Sequence, residues 1–185
     1  MTPSAHLMMS WLCGASTVVT KRERILITLA GLAPDLDGAG LLIDWLTGTT
    51  RYYQQWHHVF GHNLVFAVAI ATCAGLFART RQARVWLMSF VAIHLHLFTD
   101  LIGSKGPDGY QWPIEYLYPF SNTGLTWQGQ WALNAWQNQL IWLALVLACI
   151  SYIRRRNISF FELFGSKLDE AARTLCIRLS ARYFR

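Results

Sequence analysis

Apolar residues fall into five long segments along this chain, separated by polar or aromatic stretches. The segments span about 4–20, 25–46, 58–78, 85–103 and 131–153. A helix needs about 20 mostly apolar residues to cross the hydrocarbon core of a bilayer. The third, fourth and fifth segments meet that length, the first is short, and Pro34, Asp35 and Asp37 interrupt the second. This pattern predicts an all-α fold, a polytopic membrane bundle of about five helices.

Composition agrees with a membrane protein. Of the 185 residues, 54% are hydrophobic and 14% are charged, whereas about a quarter of a soluble domain is charged. The first segment has no preceding basic stretch and no evident cleavage site, so we expect it to remain in the mature protein. No two of the four cysteines stand in a Cys-x-x-Cys spacing, so they are interpreted as small apolar residues and not as disulfides or zinc ligands.

Basic residues indicate an orientation in the membrane. Clusters at 21–24, 79–84 and 154–156 are each separated from the next by two apolar segments. All three clusters can therefore lie on one side, and the positive-inside rule makes that side cytoplasmic. The N-terminus and the loops 47–57 and 104–130 then face outward, where Trp and Tyr concentrate as they do at membrane interfaces. The sequence thus predicts an outer N-terminus and a cytoplasmic C-terminus.

A basic tail follows the last apolar segment. Residues 154–185 carry eight Lys or Arg and three Asp or Glu. Between Phe161 and Leu179 the apolar residues recur near helical spacing, which predicts a basic amphipathic helix on the anionic inner membrane surface. The alternative is a helix that packs on a cytoplasmic protein partner or on its own domain. The sequence therefore predicts a membrane-embedded domain over 1–153 and a cytoplasmic tail over 154–185. Membrane lipid is the expected partner, and nucleic acid is not, because no nucleic-acid-binding motif is present.

Six histidines and four aspartates lie in or beside the apolar segments. They are His6, His57, His58, His62, His94, His96, Asp35, Asp37, Asp44 and Asp100. Ionisable groups inside a membrane are costly, so they usually pair, line a cavity or bind an ion. His96 and Asp100 are four residues apart, as are His58 and His62, so each pair would share one face of a helix. Imidazole and carboxylate suit Zn²⁺ best here, with Mn²⁺ and Fe²⁺ as alternatives.

The predicted topology brings these groups to one face of the membrane. His6 begins the first segment, the histidines of 57–62 begin the third, and His96 with Asp100 ends the fourth. All of these positions lie at the outer ends. By itself, the pair of His96 and Asp100 is equally consistent with a polar contact between helices. Because charge bias and ligand positions are independent observations, their agreement favours a metal site in the membrane-embedded domain.

The second segment contains a predicted break. In a straight helix Asp35 and Asp37 would point about 200° apart. Pro34 disfavours a helical residue before it and removes a backbone donor, and Gly38 weakens the helix further. We expect the helix to break at 34–38 and to expose both carboxylates to a polar cavity, where irregular backbone is tolerated in a membrane.

These motifs resemble those of the YdjM-type family of inner-membrane, metal-dependent hydrolases, some of whose members are described as LexA-regulated or LexA-binding. The resemblance covers about residues 5–120. Residues 34–37 match a Pro-Asp-(Ile/Leu)-Asp motif, residues 57–63 a His-Arg-x-x-Thr-His-Ser motif, and residues 95–100 a Ser-His-x-x-x-Asp motif, while Ala5-His6-Leu7 stands in place of a Gly-His-Leu step. The resemblance implies an inner-membrane location and a metal set. The implied metal ligands are His6, Asp35, Asp37, His57, His62, His96 and Asp100.

The chain departs from the family motif at three positions. His58 replaces the Arg, Gly61 the Thr and Asn63 the Ser. This leaves open whether His57 or His58 is the ligand, and it removes an Arg that could contact an anionic substrate. Asp35, Asp37 and His58 are the predicted catalytic residues.

The expected function is metal-dependent hydrolysis by a metal-activated water. The ring of Trp and Tyr at the outer face favours a lipid-like or amphipathic substrate, a phosphoester among the candidates. Loop 104–130 is long enough to cover the site, and Lys105 within it is interpreted either as a solvated residue or as a phosphate contact. The alternative is a non-enzymatic metal-binding transporter or sensor, because intramembrane His and Asp also mark ion pathways.

Overall fold

The computed structural model describes residues 1–17, 20–106 and 108–183, so the last two residues of the predicted tail lie outside the described residues. Eight α-helices and two 3₁₀ segments occur in this part of the chain. The α-helices are α1 (Pro3–Ser16), α2 (Lys21–Leu32), α3 (Gly40–Thr47), α4 (Tyr52–Trp56), α5 (Leu64–Phe77), α6 (Gln82–Gly103), α7 (Trp136–Arg156) and α8 (Ser166–Tyr183). The 3₁₀ segments are Ala33–Ala39 and Phe160–Leu163. The prediction of an all-α bundle with a C-terminal amphipathic helix is confirmed.

Three stretches of the described residues are long and apolar enough to cross a membrane. They are Lys21–Thr47, Gln82–Gly103 and Trp136–Arg156. The first of them consists of α2, the 3₁₀ segment Ala33–Ala39 and α3. Helices α1 and α5 have 14 residues each, which gives a length of about 21 Å against a hydrocarbon core of about 30 Å. The bundle therefore combines three full-length stretches with two shorter apolar helices.

The third predicted segment is shorter than its apolar pattern suggests. The pattern predicts a helix over 58–78, but α5 begins only at Leu64. Asn63 caps this helix, because its Oδ1 accepts a hydrogen bond of 2.8 Å from the Phe66 amide. Its Nδ2 donates to the Val59 carbonyl at 2.8 Å and so holds the preceding turn. Such a cap satisfies an amide at the start of the helix and fixes where the helix begins. The prediction of one full-length helix here is wrong.

Large apolar side chains remain exposed on the flanks of the bundle. On α7, Leu140, Leu143 and Leu147 are exposed, and on α3 Trp45 is 77% exposed. Extensive apolar surface of this kind marks a contact with membrane or protein. Together with the three spanning stretches, it agrees with a chain whose outer surface faces lipid.

Small residues let the central helices pack closely. Helices α1, α2, α5 and α6 contact one another, and Ala92 and Ile93 in their midst are fully buried. At Gly31 a β-carbon would lie only 2.1 Å from Ser10 Oγ and 3.0 Å from Ala92 Cβ. Close approach of backbones at small residues is how membrane helices associate. The end of α2 is therefore held close to the middle of α1 and of α6.

The basic clusters at 21–24 and 79–84 meet at the end of the bundle where α2 and α6 begin, which we call the basic end. Arg22 Nη2 donates to the Phe77 carbonyl at 3.0 Å, and Arg84 Nη1 donates to the Thr17 carbonyl at 3.2 Å. Glu23 accepts a hydrogen bond of 2.6 Å from the Thr80 hydroxyl. These contacts join the first two clusters, which the chain separates by more than fifty residues.

Residues that follow α7 also pack on the basic end. Glu162 is 3% exposed. Its carboxylate accepts a hydrogen bond of 2.8 Å from Trp11 Nε1, and its two oxygens lie 2.6 and 2.7 Å from Nε and Nη2 of Arg24. Ile158 and Phe160 pack beside Trp11. The segment just after the predicted boundary at 153/154 is thus in contact with α1 and α2, whereas Leu168 and Leu175 of α8 are exposed.

Candidate metal centre

Four separate parts of the chain deliver imidazole and carboxylate groups to one place. They are the start of α1, the 3₁₀ segment Ala33–Ala39, the turn 57–63 and the end of α6. Two groups of side chains in the described residues have ligand atoms within 4.8 Å of one another. The first group is His6, Asp35, His96 and Asp100, and the second is His58, His62 and Asp100. We call these six residues the metal cluster.

Asp100 lies at the centre of the metal cluster. Its Oδ1 is 3.2 Å from His6 Nε2, while its Oδ2 is 3.1 Å from His96 Nε2 and 3.4 Å from His62 Nε2. The Met1 amine also contacts Oδ1. Asp100 is 3% exposed, so water contributes little to the solvation of this carboxylate. Positive charge from the surrounding groups, or from an ion, must therefore offset its burial.

The far nitrogens of two histidines have fixed partners. His96 Nδ1 donates a hydrogen bond of 2.8 Å to the Gly31 carbonyl, and His62 Nδ1 donates one of 2.9 Å to Asp37 Oδ2. In the neutral rings the lone pairs must then be on Nε2, because the partner of one ring nitrogen sets the tautomer. Both Nε2 atoms are buried and form no hydrogen bond.

These two lone pairs face carboxylate oxygens. His96 Nε2 is 3.1 Å from Asp100 and 3.4 Å from Asp35 Oδ1. Two acceptors at that distance repel each other unless a proton or a cation lies between them. Metal-bound histidines have this arrangement, with one nitrogen on the ion and the other on a carboxylate or a backbone carbonyl. The donor set therefore fits a divalent metal.

Asp37 and His57 belong to neither group of ligands. The Asp37 carboxylate accepts hydrogen bonds from His57 Nδ1 at 2.8 Å and His62 Nδ1 at 2.9 Å. It also accepts from the backbone amides of His58 at 3.0 Å and Gly61 at 3.1 Å. Four donors occupy the acceptor sites of one carboxylate. Asp37 thus shapes the turn and orients His62, and His57 lies beside His58 and lines the cavity at the cluster without belonging to either ligand group.

His58 lies on the side of Asp100. Its Nε2 is 3.9 Å from Asp100 Oδ2, and the side chain is 1% exposed. Burial lowers the pKa of His58 well below its ordinary value, so the ring is neutral and a lone pair is available. The backbone φ of +70° at this residue belongs to a turn. The prediction that His58 and His62 share a helix face is therefore wrong, although both reach the same carboxylate.

The predicted break of the second segment is confirmed, with one correction. The 3₁₀ segment Ala33–Ala39 replaces regular helix around Pro34. Asp35 lines a cavity, as predicted, and its Oδ2 forms no hydrogen bond. Asp37 is instead buried behind the turn, so the prediction that both carboxylates face the cavity is wrong for this residue. The tighter 3₁₀ geometry permits this separation.

A cavity of about 430 Å³ opens onto the metal cluster. Asp35, His58 and Asp100 line its floor, and Lys105 and Trp112 contribute from loop 104–130. This volume suits a small polar head group. Lys105 and Trp112 belong to the loop that the sequence predicts to be long enough to cover the site.

Comparison with known proteins assigns a family. A family model described as YdjM inner membrane protein matches residues 1–168. The chain belongs to the YdjM inner membrane protein family. No curated protein and no solved structure matches it. Membership of the YdjM family and the three apolar stretches agree on a membrane location.

Some residues that support the site in this YdjM family member carry no signal in the sequence. Gly31 acts through its carbonyl, which every residue type has. Gln130 Nε2 donates to the Asp100 carbonyl at 3.1 Å and the Leu101 carbonyl at 3.2 Å, which satisfies the end of α6. Tyr53 stacks on His57 with ring centroids 4.7 Å apart. Only the abundance of aromatic residues in the loops 47–57 and 104–130 could have suggested Tyr53.

Proposed function

We propose that this YdjM family member is a membrane-bound, divalent-metal-dependent hydrolase that acts on a lipid-like or amphipathic substrate. One observation carries the proposal: the unpaired Nε2 atoms of His62 and His96 are buried and face the carboxylates of Asp35 and Asp100. Imidazole nitrogen with carboxylate oxygen is a ligand set for Zn²⁺ first, and for Mn²⁺ or Fe²⁺.

The residues around the cavity divide the chemistry among them. A bound divalent ion supplies a water of lowered pKa and polarises the scissile group. Asp35 is the residue best placed to accept a proton from that water, because it lines the cavity and its Oδ2 has no partner. Asp37 holds His62 in the tautomer that presents Nε2. His58 is interpreted as a ligand and not as a base, because it faces Asp100.

Apolar cavities next to the site support a lipid-like substrate. A cavity of about 440 Å³ shares Leu133 with the one at the metal cluster and continues to Ser4 and Trp142. Ser4 and Trp142 also line a cavity of about 290 Å³ between α1 and α7, whose walls are otherwise apolar. A lipid-like substrate with its head group at the cluster could thus place its acyl chain along α1 and α7. Lys105 beside the cluster supports a phosphoester as the favoured bond, because an ammonium group binds phosphate.

Metal analysis of the detergent-purified protein tests the proposal. We expect bound zinc in the wild type and a marked loss in His96→Ala and Asp35→Ala. His94→Gln is the matched control, because His94 bonds to the Phe90 carbonyl and the Tyr116 hydroxyl outside the cluster. Equal zinc content in all four proteins would end the hydrolase interpretation.

Hydrolysis itself is measured on two substrates, a fluorescent phospholipid in mixed micelles and the soluble bis(p-nitrophenyl) phosphate. We expect zinc-dependent turnover that His96→Ala loses and His94→Gln keeps. Zinc binding without turnover of either substrate would favour a sensor or transporter instead. The contact between α2 and α6 argues against a transport path, because the residues there are apolar and fully buried: Ile27, Ala92 and Ile93.

A further inference from the structure

The metal cluster contains more ligands than one zinc ion usually takes. Its six side chains are His6, Asp35, His58, His62, His96 and Asp100. Zinc in proteins almost always has four ligands in structural sites and three plus water in catalytic ones. The side chains also do not form one group, because the ligand atoms that lie mutually within 4.8 Å fall into two sets that share only Asp100.

The second set has the features of an ion site in its own right. His58 is 1% exposed and His62 is fully buried. His58 Nδ1 and His62 Nε2 form no hydrogen bond. The Nε2 atoms of the two rings lie 3.9 and 3.4 Å from the same oxygen, Asp100 Oδ2. His62 Nε2 thus has no hydrogen-bond partner and faces this carboxylate oxygen, and His58 Nε2 approaches the same oxygen, which is a suitable arrangement for binding a cation.

The Asp100 carboxylate can serve both sets at once. Its Oδ1 faces His6 and the Met1 amine, and its Oδ2 faces His96 of the first set together with His58 and His62 of the second. Asp35 completes the first set on the side of His96. Because the oxygens of this one carboxylate lie close to ligand nitrogens of both sets, Asp100 is placed to bridge two ions. The metal ions of two-metal sites in proteins lie about 3.5–4 Å apart.

We propose that the protein holds two divalent ions bridged by Asp100, the first bound by His6, Asp35 and His96 and the second by His58 and His62. This inference rests on the proposed function and goes beyond it, since one ion would suffice for metal-assisted hydrolysis. The second position depends on His58, where the motif of the resemblance carries Arg. A guanidinium at this position would introduce a fixed positive charge in place of a ligand.

Zinc stoichiometry tests the second position without reference to activity. Detergent-purified wild type, His58→Ala, His58→Arg and the control His94→Gln are saturated with zinc, dialysed and analysed for zinc per chain. We expect two ions in the wild type and in His94→Gln, and one in each His58 variant. Thermal unfolding of each protein shows whether it is folded, and His58→Gln is the substitute if His58→Ala is not.

The outcomes separate this inference from the proposed function. One zinc in the wild type overturns the second site and leaves the hydrolase proposal in place. Two zinc ions per chain in a folded His58 variant would also overturn the second site, because the second ion would then be bound elsewhere. Loss of both ions in that variant contradicts two separable positions. No zinc in the wild type overturns the proposed function as well.

Electron paramagnetic resonance tests independently whether the two metal ions share a bridge. Two Mn²⁺ ions that share a carboxylate bridge couple magnetically, and an isolated ion does not. We expect the manganese-loaded wild type to show a coupled electron paramagnetic resonance spectrum. His58→Ala should show only the spectrum of isolated Mn²⁺. An uncoupled spectrum in wild type that holds two ions per chain would contradict the bridge.

Discussion

The residues of the site divide into those that face the ion position and those that set their direction. His62 is in contact with one residue of each kind. Its Nδ1 donates a hydrogen bond to Asp37, which sets its direction, and its Nε2 faces Asp100 at the ion position. His96 repeats the pattern with the Gly31 carbonyl as its distal partner. A distal partner of this kind fixes the ring and makes the ligand nitrogen more basic. Asp37 therefore influences metal binding although it belongs to neither ligand group.

Replacement of Asp37 by Asn tests this influence. In the wild type, the two oxygens of the Asp37 carboxylate accept hydrogen bonds from four donors. The amide of Asn keeps the size of the carboxylate but loses its charge and one of these two acceptor oxygens. We expect zinc affinity to fall about 10- to 100-fold, measured by competition with a chelating dye. Asp44→Asn is the matched control, since Asp44 accepts from the amides of Tyr52 and Tyr53 away from the cluster. Unchanged affinity in Asp37→Asn would show that Asp37 has only a local structural role.

The spacing of residues in the sequence predicts their contacts where the backbone is regular. His96 and Asp100 lie within α6, so their spacing of four translates directly into a shared face. The positions of His58 and His62 do not follow from spacing, because the turn at φ +70° has no helical period. The role of Asp37 depends on contacts with residues 20 and 25 positions later in the chain, which spacing cannot reveal.

At the scale of elements, the site depends on two irregular segments that fit against each other. The 3₁₀ segment Ala33–Ala39 carries Asp35 and Asp37, and the turn 57–63 carries the histidines. Gly61 lies against Pro34, where a β-carbon would be 2.3 Å from the Pro34 carbonyl oxygen. Pro34 and Gly38 predict the break in the helix from the sequence alone. The contact of Pro34 with Gly61 does not follow from the sequence and is seen only in the structure.

A methyl group at Gly61 should separate these two segments. Because the nearest atom is backbone, the clash cannot be relieved by a side-chain rotation, and we expect Gly61→Ala to cost about 1–3 kcal/mol of stability. Zinc affinity should fall with it. Gly38→Ala is the matched control, since its β-carbon would meet nothing closer than 3.7 Å. Thermal unfolding in detergent compares the two, and equal melting temperatures would contradict the close contact.

At the scale of the whole molecule, the metal cluster and the basic end occupy opposite ends of the bundle. The cluster lies at the start of α1 and the end of α6, while Arg22, Arg24 and Arg84 gather at the other ends of these helices. The apolar pattern of the sequence predicts the order of the five apolar segments, of which three are long enough to cross a membrane. It overestimates α5, because hydrophobicity continues through a turn that Asn63 closes.

Reporter fusions test which end faces the cytoplasm. The positive-inside rule predicts that the basic end lies in the cytoplasm and the cluster outside. A reporter enzyme that is active only outside the cytoplasm should work when it is fused after Gly109 and stay silent after Arg81. The opposite pair of results would invert the topology and place the cavity inside the cell.

The buried carboxylate of Glu162 has a consequence for how the chain is made and how it can vary. Glu162 follows Trp11 by 151 residues and Arg24 by 138, so α1 and α2 gain this buried partner only after the helices between them have been made. We expect a truncation just before Glu162 to keep every ligand histidine and yet to be degraded in cells, because Trp11 and Arg24 lose the carboxylate that they share. Immunoblots of the truncated and full chains measure this, and equal amounts of both would show that the contact is dispensable. Variation of the chain should therefore be tolerated less well at this carboxylate than at the exposed residues of α8.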